Sequence, residues 1–208
     1  MSVKYSRGLY KFLRNIVGVC IWPLVRTKYT NRNNIKEEGR YVFASNHVSF
    51  ADPIFVGVGQ KIPIRFMGKA ELFKNPITNW FFTKMGAFPV DRASNDGEAI
   101  KYAMKVIDGG DALGIFIEGT RSKTGELLRP RSGAVMIAHQ MNCKIIPVCV
   151  TYRTKKQHFF SRRYVSFGEP VSTKDLGVTE GTPRELRNAS RELMNRIEVM
   201  WKRDKYGN

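Results

Sequence analysis

From residue 41 onward, short apolar runs alternate with longer stretches of helical periodicity, and this alternation leaves few architectures open to the chain. Strand-like runs fall at Tyr41–Ser45, Ile64–Met67, Ala87–Val90, Leu113–Ile117, Lys144–Tyr152 and Tyr164–Phe167. Helical stretches lie between them, over Pro53–Gly59, Glu71–Lys84, Asp96–Ile107 and Gly133–Met141. A last helix is predicted from Pro183 to about Lys202, with Thr182 as N-cap, Pro183 in the first helical position and Glu185 three residues after the cap. Strands alternating with helices predict an α/β fold: a single domain with a central, mostly parallel or mixed sheet flanked by helices. No internal repeat, low-complexity tract or long linker divides it. At 208 residues and 42% hydrophobic content the chain can build a substantial core, which excludes a disordered chain, a collagen-like fibre and a small disulfide scaffold.

The first 36 residues have a different character. Eight basic residues (Lys4, Arg7, Lys11, Arg14, Arg26, Lys28, Arg32 and Lys36) precede the first acidic one, Glu37. Leu9, Leu13, Ile16 and Cys20 recur at helical steps, with Phe12 on their flank. Lys4, Arg7, Lys11 and Arg14 follow the same rhythm roughly 170° away at ~100° per residue. An N-terminal basic amphipathic helix is therefore expected, ended near Pro23. Its apolar stripe has two possible destinations: the protein's own core, or a membrane interface with Trp22 near the headgroups. Residues 1–36 are assigned to a membrane-associating segment and 37–208 to the main domain.

The formal net charge of +17 draws the chain toward polyanions, whether nucleic acid, anionic lipid or phosphorylated substrate. The longest apolar run, Ile16–Val25, is interrupted by Gly18 and Pro23 and falls short of the ~20 residues that span a bilayer. No A-x-A-like site follows it, so a signal peptide is not expected. Cys20, Cys143 and Cys149 are scattered in apolar surroundings and are read as reduced packing residues.

Several chemistries have no support in the sequence. G-x-S-x-G, G-x-x-x-x-G-K-[ST], G-x-G-x-x-G, H-E-x-x-H and C-x-x-C are all missing, and no metal site is expected. His139 sits in an apolar helix and reads as packing, while His158 belongs to a basic-aromatic loop. His47 follows the first strand of the main domain at its C-terminal end, where open α/β sheets carry their sites. Asp52 comes five residues later. A carboxylate there can hold one ring nitrogen and leave the other to take a proton, although capping and packing would explain the same spacing. Two further strand ends carry arginine, in Gly86-Ala87-Phe88-Pro89-Val90-Asp91-Arg92 and in Phe116-Ile117-Glu118-Gly119-Thr120-Arg121-Ser122. An arginine fork suits phosphate oxygens, and a neighbouring glycine lets backbone approach a ligand. Each arginine alone could equally be a surface ion-pair partner.

The ordered blocks N-H-x4-D, G-x-F-P-V-D-R, F-I-E-G-T-R-S and Ile146-Pro147-Val148 resemble the four motifs of the PlsC-type glycerolipid acyltransferases. Within that family the compact size is most similar to the bacterial 1-acyl-sn-glycerol-3-phosphate acyltransferases. The blocks cover residues 46–148, about half the chain, with the variable gap of the first filled by Val48-Ser49-Phe50-Ala51.

The resemblance implies transfer of a fatty acyl group from a thioester, acyl-CoA or acyl carrier protein, to the sn-2 hydroxyl of lysophosphatidic acid, giving phosphatidic acid in phospholipid biosynthesis. It implies His47 as general base, Asp52 as its orienting partner and no acyl-enzyme. Arg121, Arg92 and Lys69 would bind the acceptor phosphate. Glu118, Gly119 and Thr120 would shape the pocket, and Pro147 would line its acyl-donor side. Backbone near Gly119, or Lys69, are candidates for the oxyanion donor. No metal and no cofactor is implied beyond the acyl donor as co-substrate. The expected partners are lysophosphatidic acid, the donor and an anionic phospholipid surface, with peripheral, monotopic attachment to the cytoplasmic face of a bacterial cell membrane. Other lysolipid acceptors stay open. So does a non-catalytic basic module: Arg153, Lys155, Lys156, Arg162 and Arg163 interleave with Phe159 and Phe160. No nucleic-acid motif accompanies them, and no nucleic-acid partner is expected.

Overall fold

Runs that are apolar on both faces become the middle of a sheet. The protein, seen here as a computed structural model, is described over residues 5–21, 26–33, 35–36, 39–90, 96–152 and 161–207. Its strands are β1 (Thr27–Thr30), β2 (Tyr41–Ser45), β3 (Ile64–Lys69), β4 (Phe88–Val90), β5 (Ala112–Phe116), β6 (Lys144–Tyr152) and β7 (Arg163–Phe167). Their order is β1-β7-β6-β2-β5-β3-β4. Among these strands the neighbours are parallel except β6 with β7. The sheet is thus mixed, as expected.

Period-2 alternation distributes each strand between two cores. Val42 and Ala44 of β2, with Ile145 and Cys149 of β6, face α4 (Asp96–Asp108), α5 (Gly133–Gln140) and α6 (Pro183–Tyr206). Tyr41 and Phe43, with Ile146, Val148 and Val150, face α2 (Asp52–Val58) on the other side. Along α6, Leu186, Ala189, Leu193, Ile197 and Met200 are buried at steps of three and four. The helix starts where the sequence places it: the Thr182 hydroxyl accepts from the N–H of Glu185, and the Glu185 carboxylate accepts from the N–H of Thr182.

Three expectations need correcting. The helix predicted over Glu71–Lys84 is interrupted: a 3-10 turn, Ala70–Phe73, precedes α3 (Pro76–Lys84). Pro76 cannot sit inside a helix but can open one, and Asn75 caps it by accepting from Ile77 and Thr78 N–H. Second, β1 was not foreseen, because Thr27-Lys28-Tyr29-Thr30 is short and set in a basic segment, and its partner β7 lies far along the chain. The sheet therefore extends to the N-terminal side of the boundary drawn between residues 36 and 37. Third, Arg163 does not belong to a solvated binding loop. It is fully buried in β7, its guanidinium 3.6 Å above the ring of Phe55. Arg162 beside it is exposed, and residues 153–160 lie outside the described residues.

The N-terminal helix, α1 (Arg7–Ile21), packs on the protein along one side and is exposed along the other. On one side Tyr10 is buried and its hydroxyl accepts from the N–H of Ile64, while Gly18 abuts Val58. Two of the four basic residues are bound to the protein itself. Arg7 pairs with Asp111 at 2.6 Å, and Arg14 donates to the carbonyls of Gln60 and Lys61. On the other side Phe12, Ile16 and Val19 stay exposed at 60%, 43% and 74%. Lys4 and Trp22 lie outside the described residues. No helix among the described residues is long and apolar enough to cross a membrane.

Because α6 packs along β6 on one face of the sheet, its start contributes to global stability. Thr182→Ala should lower the unfolding free energy by about 1 kcal/mol, read from the midpoint of urea denaturation at unchanged slope. An unmoved midpoint would mean that the capping box adds nothing.

Candidate active site

Register brings the C-terminal ends of β2 and β5 level, with β6 running past them: Ser45 stands opposite both Phe116 and Val148. His47 follows β2 by two residues and Asp52 opens α2. The tight link between them turns the two side chains together, with Nδ1 of His47 2.9 Å from Oδ2 of Asp52. An ionised carboxylate can only accept, so Nδ1 carries the hydrogen and Nε2 keeps its lone pair. Asp52 has no exposed surface; its Oδ2 also accepts from the N–H groups of Val48 and Ser49, both at 2.7 Å, and its Oδ1 from the Tyr152 hydroxyl at 3.1 Å. Asn46 continues the ladder beyond β2, exchanging two hydrogen bonds with the backbone of Val150 at 2.8 and 2.9 Å.

A column of rings supports the imidazole from the side. His47 stacks on Phe116 at 3.7 Å and 14°, and Phe116 on Phe66 at 5.3 Å and 22°. Phe66 in turn lies across Gly114, its cross-strand partner, where a Cβ would come within 2.4 Å of the ring.

The turn after β5 grips the backbone of His47 from both sides. Glu118 accepts from the His47 N–H at 2.9 Å, and the Ser122 N–H donates to the His47 carbonyl at 2.8 Å. The second Glu118 oxygen accepts from the Leu128 N–H at 2.8 Å. Burial pushes the Glu118 carboxyl above its ordinary range, and the Asp52 charge adds to this; the two backbone donors oppose it. Gly119 has φ +70°, and a Cβ there would meet the Arg131 guanidinium at 2.6 Å, so this turn accepts only glycine without rearrangement.

These groups border a cavity of about 260 Å³. Its polar lining includes His47, Lys69, Thr120 and Arg121, with Gly119 beside them. Its apolar walls come from Tyr10 of α1, Ile54 of α2, Leu72 and Phe73 of the 3-10 turn, and Phe81 and Phe82 of α3. Glu118 stands behind this lining as a clamp. Pro147 does not reach the cavity: it is buried in β6 with its ring against Gly168, whose N–H it accepts at 2.8 Å. Arg92 lies outside the described residues. Asn46 and Phe116 open two of the motif blocks without a role assigned to them, while Tyr152 and Phe66 lie outside every block, so no short-range signal marked these four as supports of the pair.

The other histidines and cysteines stand apart. His139 packs beneath Gly181, and His158 is outside the described residues. Cys143 and Cys149 are buried as expected, and burial pushes the Cys143 thiol up to about 11. Cys20 is exposed on α1, contrary to its reading as a packing residue. Among the described residues no three His, Cys, Asp or Glu side chains gather as a metal site.

The sequence model of the Acyltransferase family matches residues 26–151, which include the His47–Asp52 pair and both stretches that fix it. The chain belongs to the acyltransferase family. A relative from Bacillus subtilis (strain 168), named 1-acyl-sn-glycerol-3-phosphate acyltransferase, is 30% identical over 92% of this chain and 100% of its own length. One of the same name from Streptococcus pneumoniae is 30% identical over 84% of this chain and 67% of its own. The crystal structure of the 1-acyl-sn-glycerophosphate (LPA) acyltransferase PlsC from Thermotoga maritima superposes with a TM-score of 0.67 at 22% identity, covering 92% of this chain and 78% of that one. The α/β architecture is therefore that of a known acyltransferase fold.

In this acyltransferase the ring column supports His47 from the side. Gly114→Ala must displace Phe66, and through it Phe116 and the imidazole. Acyl transfer should fall on the order of 10–100-fold, the usual effect of a misplaced reacting group, with stability lowered by about 1–3 kcal/mol. Full activity would show that the column does not position His47.

Proposed function

We propose that this acyltransferase moves a fatty acyl group from an acyl thioester to the free sn-2 hydroxyl of lysophosphatidic acid, giving phosphatidic acid. The observation that carries this reading is one cavity combining three features: the His47 imidazole held by a buried carboxylate, the cations Lys69 and Arg121, and aromatic and aliphatic walls. A lysolipid with an anionic headgroup presents the matching chemistry: a hydroxyl, a phosphate and a long apolar chain. The names of the Bacillus and Streptococcus relatives support the same acceptor.

In this mechanism Nε2 of His47 takes the hydroxyl proton as the oxygen attacks the thioester carbonyl. The tetrahedral intermediate collapses, the C–S bond breaks, and the leaving thiolate takes the proton back from the imidazolium. The donor is acyl-CoA or acyl carrier protein, and the step balances without a metal or a prosthetic group. Asp52 fixes the tautomer. Arg121 and Lys69 hold the acceptor phosphate, with Arg92 assigned to the same task by its motif. The N–H of Gly119 already donates to the Phe116 carbonyl, so the candidate oxyanion donors are the backbone beside it and Lys69, which would then leave the phosphate to the arginines. Glu118, Gly119 and Thr120 shape the pocket; Pro147 shapes the sheet beneath it.

The substrate resides in a bilayer, and the apolar surface of α1 and α3 offers a way to meet it. Phe12, Ile16 and Val19 are exposed on α1, Ile77 and Trp80 on α3, and Phe50 at the cavity. These elements also wall the cavity, so a monotopic seat on the cytoplasmic leaflet of the cell membrane would turn its mouth toward the lipid. Lys11 and the other exposed cations would meet anionic headgroups.

His47→Ala should lose roughly 10²–10⁴-fold of its rate in a thiol-release assay with lysophosphatidic acid; retained turnover would end this mechanism. Arg121→Ala should weaken use of the phosphorylated acceptor by about 10–100-fold, as expected for a lost charge-assisted hydrogen bond. An equal loss with a neutral monoacylglycerol would remove Arg121 from the phosphate site. Changing Phe12, Ile16 and Val19 together to serine should reduce sedimentation with anionic vesicles, because each buried apolar side chain is worth about 1.5–3 kcal/mol. Undiminished sedimentation would place the anchor on another surface.

A further inference from the structure

The hydrogen-bond chain that starts at His47 continues past Asp52. β6 overruns β2 at the C-terminal edge, and alternation turns Tyr152 to the same face as Val148 and Val150, above the start of α2. There its hydroxyl donates to Oδ1 of Asp52 at 3.1 Å. Arg163 is the antiparallel cross-strand partner of Tyr152. It has no exposed surface; its guanidinium lies 3.6 Å above the Phe55 ring and 5.0 Å from the centroid of Tyr152, and it donates to the carbonyl of Ser161. An arginine stays charged even when buried. A buried cation and a buried carboxylate thus flank one phenol.

Resting on the reading of His47 as the base, we infer that Tyr152 and Arg163 are positioning residues of the reaction, holding Asp52 as a fixed, ionised acceptor for the Nδ1–H of His47. Without them the Asp52 carboxylate would lose one of its four donors and the nearby positive charge, and would bind a proton more tightly. The other charged or titratable groups around the pair are Glu118, whose oxygen takes the His47 N–H; Lys69, Arg121 and Tyr10 on the cavity; Arg131 over Gly119; and Tyr29, which bonds the Phe55 carbonyl. None of these touches Oδ1. Burial and the Asp52 charge push the Tyr152 phenol up to about 12, with Arg163 opposing, so the hydroxyl keeps its proton and remains a donor throughout the working range.

The sign of the effect follows. Removing the phenolic donor makes Asp52 a stronger base, which favours imidazolium, so neutral His47 appears only at higher pH. Tyr152→Phe should lower kcat by about 10–100-fold, the scale of a hydrogen bond to a charged group, with KM for lysophosphatidic acid within about twofold because the cavity lining is untouched. The acid limb of its kcat/KM profile should move upward by about half a pH unit or more. Arg163→Lys keeps the charge and should leave that limb in place. Wild-type kcat and limb in Tyr152→Phe, or a loss of rate with an unmoved limb and a lowered unfolding midpoint, would overturn the assignment. Arg163→Met, which removes the charge, should move the limb upward as well, and an unmoved limb in that variant would overturn the assignment for Arg163. His47→Ala run alongside separates the two levels: if it is inactive while Tyr152→Phe behaves as wild type, the positioning role fails and the base stands; if it turns over, both fall.

Discussion

A carboxylate with no exposed surface has to be met by donors on every side, and the ordered end of this sheet is built around meeting the needs of Asp52. The bend between β2 and α2 is tight because the N–H groups of Val48 and Ser49 must converge on one oxygen. β6 must run past β2 so that Tyr152 can reach the other, and Asn46 replaces the missing strand residues that would otherwise leave Val150 without partners. Glu118, a second buried carboxylate, sits behind the first. Two like charges on one buried edge would be unfavourable, and here backbone donors offset both. What results is an imidazole fixed at its ring by Asp52 and Phe116 and at its backbone by Glu118 and Ser122, before any substrate arrives.

Much of this was legible in the residues. Apolar runs with turn residues between them marked β2 and β6 to the residue, and Thr182 with Glu185 marked the start of α6, because those signals are local. His47 and Asp52 could be paired from spacing, since a strand end followed by a helix start allows little freedom. Tyr152 and Arg163 could not be added to them: their place depends on how far β6 overruns β2 and on which strand turns antiparallel, and neither is written in short-range pattern. Arg163 shows the limit most clearly. Next to other basic residues it reads as solvated surface, and only the register that sets it against Phe55 and Tyr152 makes it part of the interior. Pro147 is buried in β6 rather than on the cavity wall, so a motif position can also serve the sheet beneath the site.

α1 illustrates how one periodic pattern can serve two surfaces. Its apolar residues cover more of the circumference than a single contact needs. Tyr10 and Gly18 fit against the protein, while Phe12, Ile16 and Val19 are left exposed. The basic residues divide likewise, with Arg7 and Arg14 bonded to the domain. A helix held firmly on one side can present its other side at a fixed angle, whereas a loosely tethered amphipathic segment could not align a cavity with a surface.

The sheet also joins the beginning of the chain to its end, since Thr27 of β1 pairs with Arg163 of β7. During synthesis β1 emerges early and has no strand to bond until roughly two-thirds of the polypeptide has followed it. The same late strand brings the buried guanidinium beside Tyr152. Strands β2 to β5 can therefore assemble with His47 and Asp52 already present while the interior charge that balances Asp52 is still on the ribosome. Completion of the reactive pair is tied to completion of the molecule, and a nascent or truncated chain that lacks β7 carries the motif without its finished environment.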